Sequence, residues 1–296
     1  MKTRKKISLA ILGAICCLQF SGLAMAEHEH ATVEGDLAKQ HVPSVSPAEE
    51  EKPTANVTVM AMSKYVWRGF ELSKDSIVLQ PSMTVAYKGF SANIWGNEDT
   101  DVYLPQDGSV DADTNNWTET DFTLAYDWSV GPVGLTAGYI YYSLIGLDSQ
   151  EVFGRATLHT LLTPTLTVYR DYDHFTGWYA TLGVSHTLPL TEKIGLNLGA
   201  QVGYLAAEDD SSYPEFDGVG NATTDAYSGF HDGLLIASIA IPVTEYITVT
   251  PMLNYSFPLT SDAGDLIESW SQEVANGQAH GDNDFIYGGV SVSMAF

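Results

Sequence analysis

The chain has 296 residues, a net charge of −24 at pH 7 and 45% hydrophobic residues, including 16 tyrosines, 6 tryptophans and 11 phenylalanines. A chain this negative is repelled by nucleic acid, which excludes nucleic acid as a partner. Both cysteines, Cys16 and Cys17, lie near the N-terminus, so the remaining chain can have no disulfide, thiol nucleophile or cysteine-ligated metal.

Residues 1–26 have the pattern of a secretory signal peptide. Four basic residues between Lys2 and Lys6 precede an apolar run from Ile7 to about Leu23, and residues 24–26 read Ala-Met-Ala, a small-x-small cleavage site. Cleavage after residue 26 removes these four basic residues and no acidic one, which changes the net charge from −24 to −28.

Residues 27–55 predict a flexible acidic tail in the periplasm, because they combine acids and prolines with almost no apolar periodicity. His28 and His30 could bind a metal ion weakly. A solvated tail is the favoured interpretation, since no rigid scaffold orients the two imidazoles. We therefore expect no metal and no cofactor.

From residue 56 to 296 the chain is a succession of segments in which apolar and polar residues alternate. Most have about the nine to eleven residues that a tilted strand needs to cross a bilayer. We count twelve segments: Asn56–Arg68, Ile77–Tyr87, Phe90–Asn97, Thr118–Trp128, Val133–Tyr142, Glu151–Thr160, Thr165–Asp173, Gly177–Leu188, Ile194–Leu205, Leu234–Ile241, Ile247–Phe257 and Phe285–Phe296. The sequence predicts an all-β fold, a transmembrane antiparallel up-and-down β-barrel of about 12 strands.

The predicted connectors alternate in length along the chain. Five are tight turns with glycine or proline, such as Lys88-Gly89 and Pro189–Lys193. Five of the six opposite connectors are longer, among them Glu98–Trp117 and Ser143–Gln150, and the exception is at His174. Short periplasmic turns and longer outer loops are typical of outer-membrane barrels, whereas a soluble Greek-key sandwich has no reason to sort its loops in this way.

Aromatic residues concentrate at the ends of the predicted strands, as in the girdles of membrane barrels. Those beside the longer loops are Trp67, Tyr139, Tyr141, Tyr172, Trp178, Tyr204, Tyr255, Phe257 and Tyr287, and those beside the turns are Tyr87, Phe90, Tyr126, Trp128, Tyr246 and Phe296. We therefore expect the outer membrane of a Gram-negative bacterium as the location, with its lipid and lipopolysaccharide as partners.

The last segment, Phe285–Phe296, has one apolar face that includes Val290 and Val292 and one small or polar face that includes Ser291. The final strand of a soluble sandwich would alternate in the same way. A terminal phenylalanine after apolar residues at every second position resembles the C-terminal signal of bacterial outer-membrane proteins. This resemblance implies that Phe296 is an assembly signal for the barrel-assembly machinery, and we expect the segment to pair with Asn56–Arg68.

Four sequence stretches and one serine near the start of the barrel resemble a known family. They are Ser63-Lys64-Tyr65-Val66-Trp67-Arg68-Gly69, Ser73, Leu79-Gln80-Pro81, Tyr87-Lys88-Gly89-Phe90 and Asn93-Ile94-Trp95-Gly96-Asn97. Up to Asn97 the pattern is similar to proteobacterial outer-membrane porins of the TorF type, a family of unassigned function. The resemblance implies a pore-like protein and names no solute. The Glu98–Trp117 insertion is longer and more acidic than the family pattern.

Placing the apolar face of each segment outward puts a set of polar side chains in the lumen. The candidates for the lumen or a selectivity zone are Lys64, Arg68, Glu119, Asp121, Arg155, His159, Tyr169 and Asp171, accompanied by Gln80, Asn93, Asn97, Asn197, Gln201 and Asn254. Opposed charges of this kind either orient a permeating solute in a transverse field or form ion pairs that plug a narrow barrel. By the same parity Arg170 falls on the outward face.

Three functions follow from these patterns. The first is a channel for passive passage of small hydrophilic solutes or cations, and the second is a non-conducting barrel that serves as an adhesion, envelope-scaffold or cation-binding surface. The third is an outer-membrane hydrolase, suggested by Asp171-Tyr172-Asp173-His174 and His231-Asp232. A second Asp-x-His element and a Gly-x-Ser-x-Gly motif are both absent from the sequence, so we expect no enzyme and assign no catalytic residue.

Overall fold

The computed structural model describes residues 52–73, 76–101, 116–217, 220–271, 273–275 and 278–296. The predicted signal peptide and all but the last residues of the predicted tail lie outside this part of the chain. Twelve antiparallel strands form a closed barrel. They are β1 (Thr54–Met62), β2 (Val78–Tyr87), β3 (Phe90–Asp99), β4 (Trp117–Val130), β5 (Val133–Leu144), β6 (Leu147–Leu158), β7 (Thr165–Asp171), β8 (Gly177–Pro189), β9 (Gly195–Ala207), β10 (Ser228–Pro242), β11 (Ile247–Pro258) and β12 (Phe285–Ala295).

Each barrel strand pairs with its neighbours in the sequence, and β12 closes the wall against β1. In this seam Met60 lies opposite Ser291 and Asn56 lies opposite Ala295. The N–H of Ala55 donates to the carbonyl of Phe296 at 2.8 Å, and the N–H of Phe296 donates back at 3.0 Å. The predicted fold and the predicted pairing of the last segment with the first are therefore confirmed.

The alternation of the sequence accounts for the two faces of the wall. Outward apolar side chains such as Val59, Ile94 and Leu182 are exposed, whereas inward polar ones such as Gln80 and Thr181 are buried. An apolar band of this kind is stable only against lipid, and closure of the barrel leaves no strand edge with unpaired backbone groups. Within the described residues, no helix is long and apolar enough to cross a membrane.

The connectors at one end of the barrel are short, and most at the other end are longer. The first end has the turns 88–89, 131–132, 159–164, 190–194 and 243–246, and the second has the connectors 63–77, 100–116, 145–146, 172–176, 208–227 and 259–284. We call these the turn end and the loop end. The N-terminal side of β1 and the C-terminal side of β12 both lie at the turn end, as expected for an even number of strands.

The predicted loop Ser143–Gln150 is wrong. Strands β5 and β6 continue through it, with Tyr142 opposite Ser149 and Ser143 opposite Asp148, and only Ile145-Gly146 joins them. Gly146 has a positive φ of 88°, which suits glycine in a two-residue hairpin turn. The polar residues that suggested a loop are cross-strand pairs instead.

Three loop-end connectors have structure of their own. The connector after β1 contains a short hairpin, Val66–Trp67 paired with Phe70–Glu71, and the connector after β9 contains another, Pro214–Phe216 paired with Ala222–Ala226. The connector after β11 contains helix α1 (Ser261–Trp270), at whose N-terminus the Thr260 side chain accepts a hydrogen bond from the N–H of Ala263 at 3.1 Å. Such a cap satisfies one of the free donors of a helix start.

Candidate functional site in the outer lumen

The hairpin after β1, Val66–Glu71, folds into the lumen, and we call it the first-loop hairpin. Its turn residues Arg68 and Gly69 both have positive φ, 46° and 85°, as a type I′ turn requires. A Cβ at Gly69 would lie only 2.9 Å from the Cδ1 of Ile267 on α1, so only glycine satisfies both the space and the backbone conformation. Trp67 and Phe70 of this hairpin are buried.

The guanidinium of Arg68 is held at the tip of the first-loop hairpin by the barrel wall. Its Cζ lies 4.8 Å from the ring centre of Tyr169 and 4.3 Å from that of Tyr179, within the range of cation–π attraction. Nη2 lies 2.8 Å from Oε2 of Glu151, with relative exposures of 10% and 1% for the two side chains. The same Oε2 accepts a hydrogen bond of 2.7 Å from the hydroxyl of Tyr142.

We call these four wall residues, Glu151, Tyr142, Tyr169 and Tyr179, the Arg68 seat. Strands β5, β6, β7 and β8 supply them, so the seat is a continuous patch of the wall. On the hairpin side, Trp67 adds a third ring 4.3 Å from the Arg68 Cζ. Burial alone lowers the pKa of the Arg68 guanidinium, but the adjacent Glu151 carboxylate, together with Tyr142 and Tyr179, outweighs this effect and raises the pKa above its ordinary value. Arg68 is therefore a permanent cation.

A second set of bonds fixes the ring of Tyr179. Its hydroxyl donates to Oδ1 of Asp232 at 2.8 Å. A Cβ at Gly203 would lie 2.2 Å from that carboxylate oxygen and 2.6 Å from the Tyr179 hydroxyl. The glycine therefore makes room for a buried hydrogen bond that orients the ring toward Arg68.

Four aromatic rings cluster at the loop end, one from the first-loop hairpin itself and three from other connectors that pack over it. These are Phe70, Phe175, Tyr213 and Trp270, which we call the aromatic cap. Tyr213 stacks on Trp270 at 5.6 Å with an interplanar angle of 9°, and Phe70 lies 4.4 Å from Trp270. Burial raises the pKa of the Tyr213 phenol, so this hydroxyl stays neutral. Side chains of loops, and not of strands, thus close the loop end of the lumen.

The described wall beside the base of the first-loop hairpin is polar and buried. The hydroxyl of Tyr65 donates to Glu119 at 3.0 Å, and Asp121 is fully buried two residues along the same strand. Gln80 donates to Asn97 at 3.1 Å. Lys64 forms an ion pair with Glu71, which belongs to the hairpin itself. The base of the hairpin is therefore held by hydrogen bonds to the wall on one side and by its own ion pair on the other.

Nearer the turn end, the inward side chains are mostly hydroxyls and amides that keep part of their surface exposed. Thr58 and Ser293 form a hydrogen bond of 2.9 Å across the seam, and Asn93 donates to Thr84 at 2.8 Å. Arg155 is the basic side chain among the described inward residues of this half, 5.9 Å from the ring of Phe153. The lumen therefore has an occluded outer half with charged groups and an inner half lined mostly with neutral polar groups, together with Arg155.

The predicted lumen residues divide into three groups. The first group lies on strands and faces inward, and it consists of Glu119, Asp121, Arg155, Tyr169 and Asp171. Lys64 and Arg68 do not lie on a strand, because β1 ends at Met62, and they belong to the connector that folds back into the lumen. His159, also expected in the lumen, is exposed in the turn after β6, which ends at Leu158. Its Nε2 lies 2.9 Å from the position that a Cβ on the inward-facing Gly134 would take.

Two residues of the predicted outer girdle were also misplaced. Trp67 and Tyr287 are buried inside the barrel, while Tyr172, Trp178 and Tyr204 of the same predicted girdle are exposed. Arg170 lies near the rim on the outward face, where it pairs with Glu208 at 2.8 Å. The prediction missed Glu151, the partner of Arg68. Glu151 lies four residues before Arg155 on one predicted strand, so the two side chains share a face, and this spacing could have revealed Glu151 as a lumen residue.

Among the described residues, no group of three or more histidines, cysteines or acids is arranged to hold a metal ion. Much of the acidic insertion Glu98–Trp117 lies outside the described residues.

No family model and no curated protein match the chain. Similar solved structures include the NanC porin, at 9% identity and a TM-score of 0.50 over 80% of this chain and 98% of that one. The KdgM porin is 9% identical with a TM-score of 0.47 over 81% of this chain and 99% of that one. The COG4313 outer-membrane channel from Pseudomonas putida F1 is 11% identical with a TM-score of 0.42 over 85% and 100%. At such identities the likeness concerns the fold alone, that of an outer-membrane β-barrel.

Proposed function

We propose that the protein is an outer-membrane channel for small hydrophilic solutes or cations, closed at its outer mouth by its own loops. One observation carries this proposal. The groups that close the loop end of the lumen belong to the first-loop hairpin, helix α1 and two further connectors, while the strands line the inner half mostly with small polar side chains. Strand side chains can fill an eight-stranded barrel completely, but twelve strands enclose a wider lumen. Loops that occlude it can move without breaking the wall.

Charge determines which solutes we expect. The chain carries 37 acidic and 13 basic residues, and a negative field raises the local concentration of cations at a pore mouth. The inner half contributes hydroxyls and amides, which can replace water around a polar solute. We therefore expect permeation of small neutral polar solutes and cations ahead of anions. The resemblance to porins of the TorF type is consistent with a pore. No family model matches the chain, so membership of that family stays a prediction.

Planar-bilayer recording of refolded protein tests the proposal. The informative variant replaces Val66–Glu71 by Gly-Gly, which joins Tyr65 to Leu72 at the point where the N–H of Leu72 donates to the carbonyl of Tyr65 at 2.8 Å. We expect small or rare openings for the wild type and larger, longer openings for the variant. A control with Gly-Gly at Thr224 and Asp225, which are exposed in another loop, should behave as the wild type.

A closed barrel that acts only as a surface is the second candidate, and one observation favours it. The outer lumen contains a buried ion pair between Arg68 and Glu151, and buried charges that are paired in this way can permanently plug a narrow barrel. The same deletion variant separates the two functions. If it inserts and folds but conducts no current, the channel is rejected and the closed barrel is retained.

We infer no enzymatic function. His231 and Asp232, one of the two Asp–His pairs in the sequence, are buried beneath the loops. Asp173 and His174, the other pair, are exposed at the rim, where Asp173 accepts a hydrogen bond of 2.9 Å from the amide of Gln150. Asp171 is buried and accepts a hydrogen bond of 2.6 Å from Ser149. A His174→Ala variant that loses a peptidase activity of the wild type would contradict this inference.

A further inference from the structure

The Arg68 seat has the composition of a receptor site for a cation. Glu151 supplies one carboxylate, and the rings of Tyr169 and Tyr179, 6.1 Å apart with an interplanar angle of 34°, supply two aromatic faces. Aromatic faces attract cations, and guanidinium also stacks on them. All of these groups belong to the wall, so the seat persists when the first-loop hairpin leaves it.

The seat suits guanidinium better than ammonium. A planar guanidinium can stack on both tyrosine rings and still direct an N–H at the carboxylate, as Arg68 does with distances of 4.8, 4.3 and 2.8 Å. An ammonium ion is a compact, strongly hydrated charge that matches this arrangement less well. The hydroxyl of Tyr142 donates a hydrogen bond to the Glu151 carboxylate and so fixes the orientation of this carboxylate.

Withdrawal of Arg68 would leave Glu151 as a buried carboxylate without its counter-ion, which is strongly unfavourable. A cation from solution could then replace Arg68. The backbone of Arg68 also favours exchange, because a non-glycine residue at a φ of 46° is held in a conformation that L-residues rarely adopt. Contacts with the seat therefore have to compensate for this conformation.

We propose that the Arg68 seat is a binding site for small guanidinium compounds, occupied in the closed protein by Arg68 as a tethered ligand. A soluble guanidinium compound competes with Arg68 for Glu151 and the two tyrosine rings, and its binding releases the first-loop hairpin. The proposal deepens the proposed function, since it names a solute class that the channel would recognise. Binding at the seat can nevertheless be measured without any current.

Isothermal titration calorimetry in detergent micelles, with ethylguanidinium as the probe and ethylammonium as its matched control, tests the site. The main variant is Arg68→Gly, because glycine adopts positive φ without strain. We expect ethylguanidinium to bind Arg68→Gly at least tenfold more tightly than the wild type, in which Arg68 competes. Ethylammonium should bind the variant at least tenfold more weakly than ethylguanidinium does.

Two further variants separate the site from unspecific binding. The double variant Arg68→Gly with Glu151→Gln should lose at least tenfold in affinity for ethylguanidinium, because a charge-assisted hydrogen bond is lost. Lys193→Ala removes a basic residue that is exposed in a turn at the opposite end of the barrel and should bind like the wild type. Equal affinity in the single and double variants, or no binding to a folded Arg68→Gly, would overturn the proposal.

Arg68→Lys covers the case in which Arg68→Gly does not fold. Its ammonium competes less well, so ethylguanidinium should bind it more tightly than it binds the wild type, and unchanged affinity would count against the site. Bilayer recording of the same variants keeps the two claims apart. Binding without conductance would retain the site and reject the channel, whereas conductance without binding would retain the channel and reject the site.

Discussion

Replacing Glu151 by glutamine tests whether the Arg68–Glu151 ion pair holds the outer mouth closed. The pair is buried, with 1% of the Glu151 side chain exposed, and its N···O distance is 2.8 Å. Removing one partner of a buried pair costs about 3–5 kcal/mol. Glutamine keeps a hydrogen-bond acceptor and the three rings around Arg68 remain, so we expect the closed state to lose about 2 kcal/mol. A loss of that size raises the ratio of open to closed channels about 30-fold.

Single-channel open probability in planar bilayers measures this ratio. The matched control is Glu208→Gln, the same chemical change in an ion pair of the same length, 2.8 Å, between Arg170 and Glu208. That pair is exposed at the outer rim, and exposed pairs contribute about 0–1 kcal/mol, so the ratio should change about fivefold at most. Equal open probabilities for the two variants would refute the reasoning that burial of the Arg68 pair closes the channel.

Two other variants and one measurement on the unchanged protein provide further tests. Gly69→Ala places a Cβ 2.9 Å from Ile267 at a φ of 85°, so it should destabilise the closed hairpin by about 1–2 kcal/mol and lengthen the channel openings. The control is Gly146→Ala, because Gly146 also has a positive φ but has open space where the Cβ would lie. Deletion of Phe296, which removes two backbone hydrogen bonds from the seam, should reduce outer-membrane levels without affecting secretion, and normal levels on an immunoblot would count against its role as an assembly signal. Reversal potentials in a salt gradient should favour cations over anions, and an anion preference would contradict the argument from net charge.

The barrel wall could be predicted from the sequence because lipid imposes a strict pattern on it. Outward positions such as Val290, Val292 and Met294 must be apolar, and their inward neighbours need not be, so the two faces of β12 and its pairing with β1 follow from alternation. The residues of the Phe285–Phe296 segment therefore lie on the faces that the sequence assigns to them. The alternation of apolar and polar residues is enough to predict the two faces of a strand wherever lipid contacts every second side chain.

The outer lumen could not be predicted in the same way, because the same alternation continues past the end of the wall. Strand β1 ends at Met62, yet Tyr65 and Trp67 extend the pattern, and the first-loop hairpin therefore reads as part of a strand. The turn at Arg68 has no glycine at its first position, although its φ is positive. Tertiary contacts with Glu151 and α1, which lie far away in the sequence, determine where the hairpin goes.

The stretch Ser63–Gly69 that carries the family resemblance is the first-loop hairpin and its base, and physical reasons account for several of its residues. Tyr65 donates to Glu119 of the wall, Trp67 lies against the Arg68 guanidinium, and Gly69 leaves the space that Ile267 occupies. None of these roles concerns crossing the membrane, for which an alternating apolar face is enough. The contacts of this stretch are best explained by the occlusion of the lumen, to which each of the three residues contributes from the loop end.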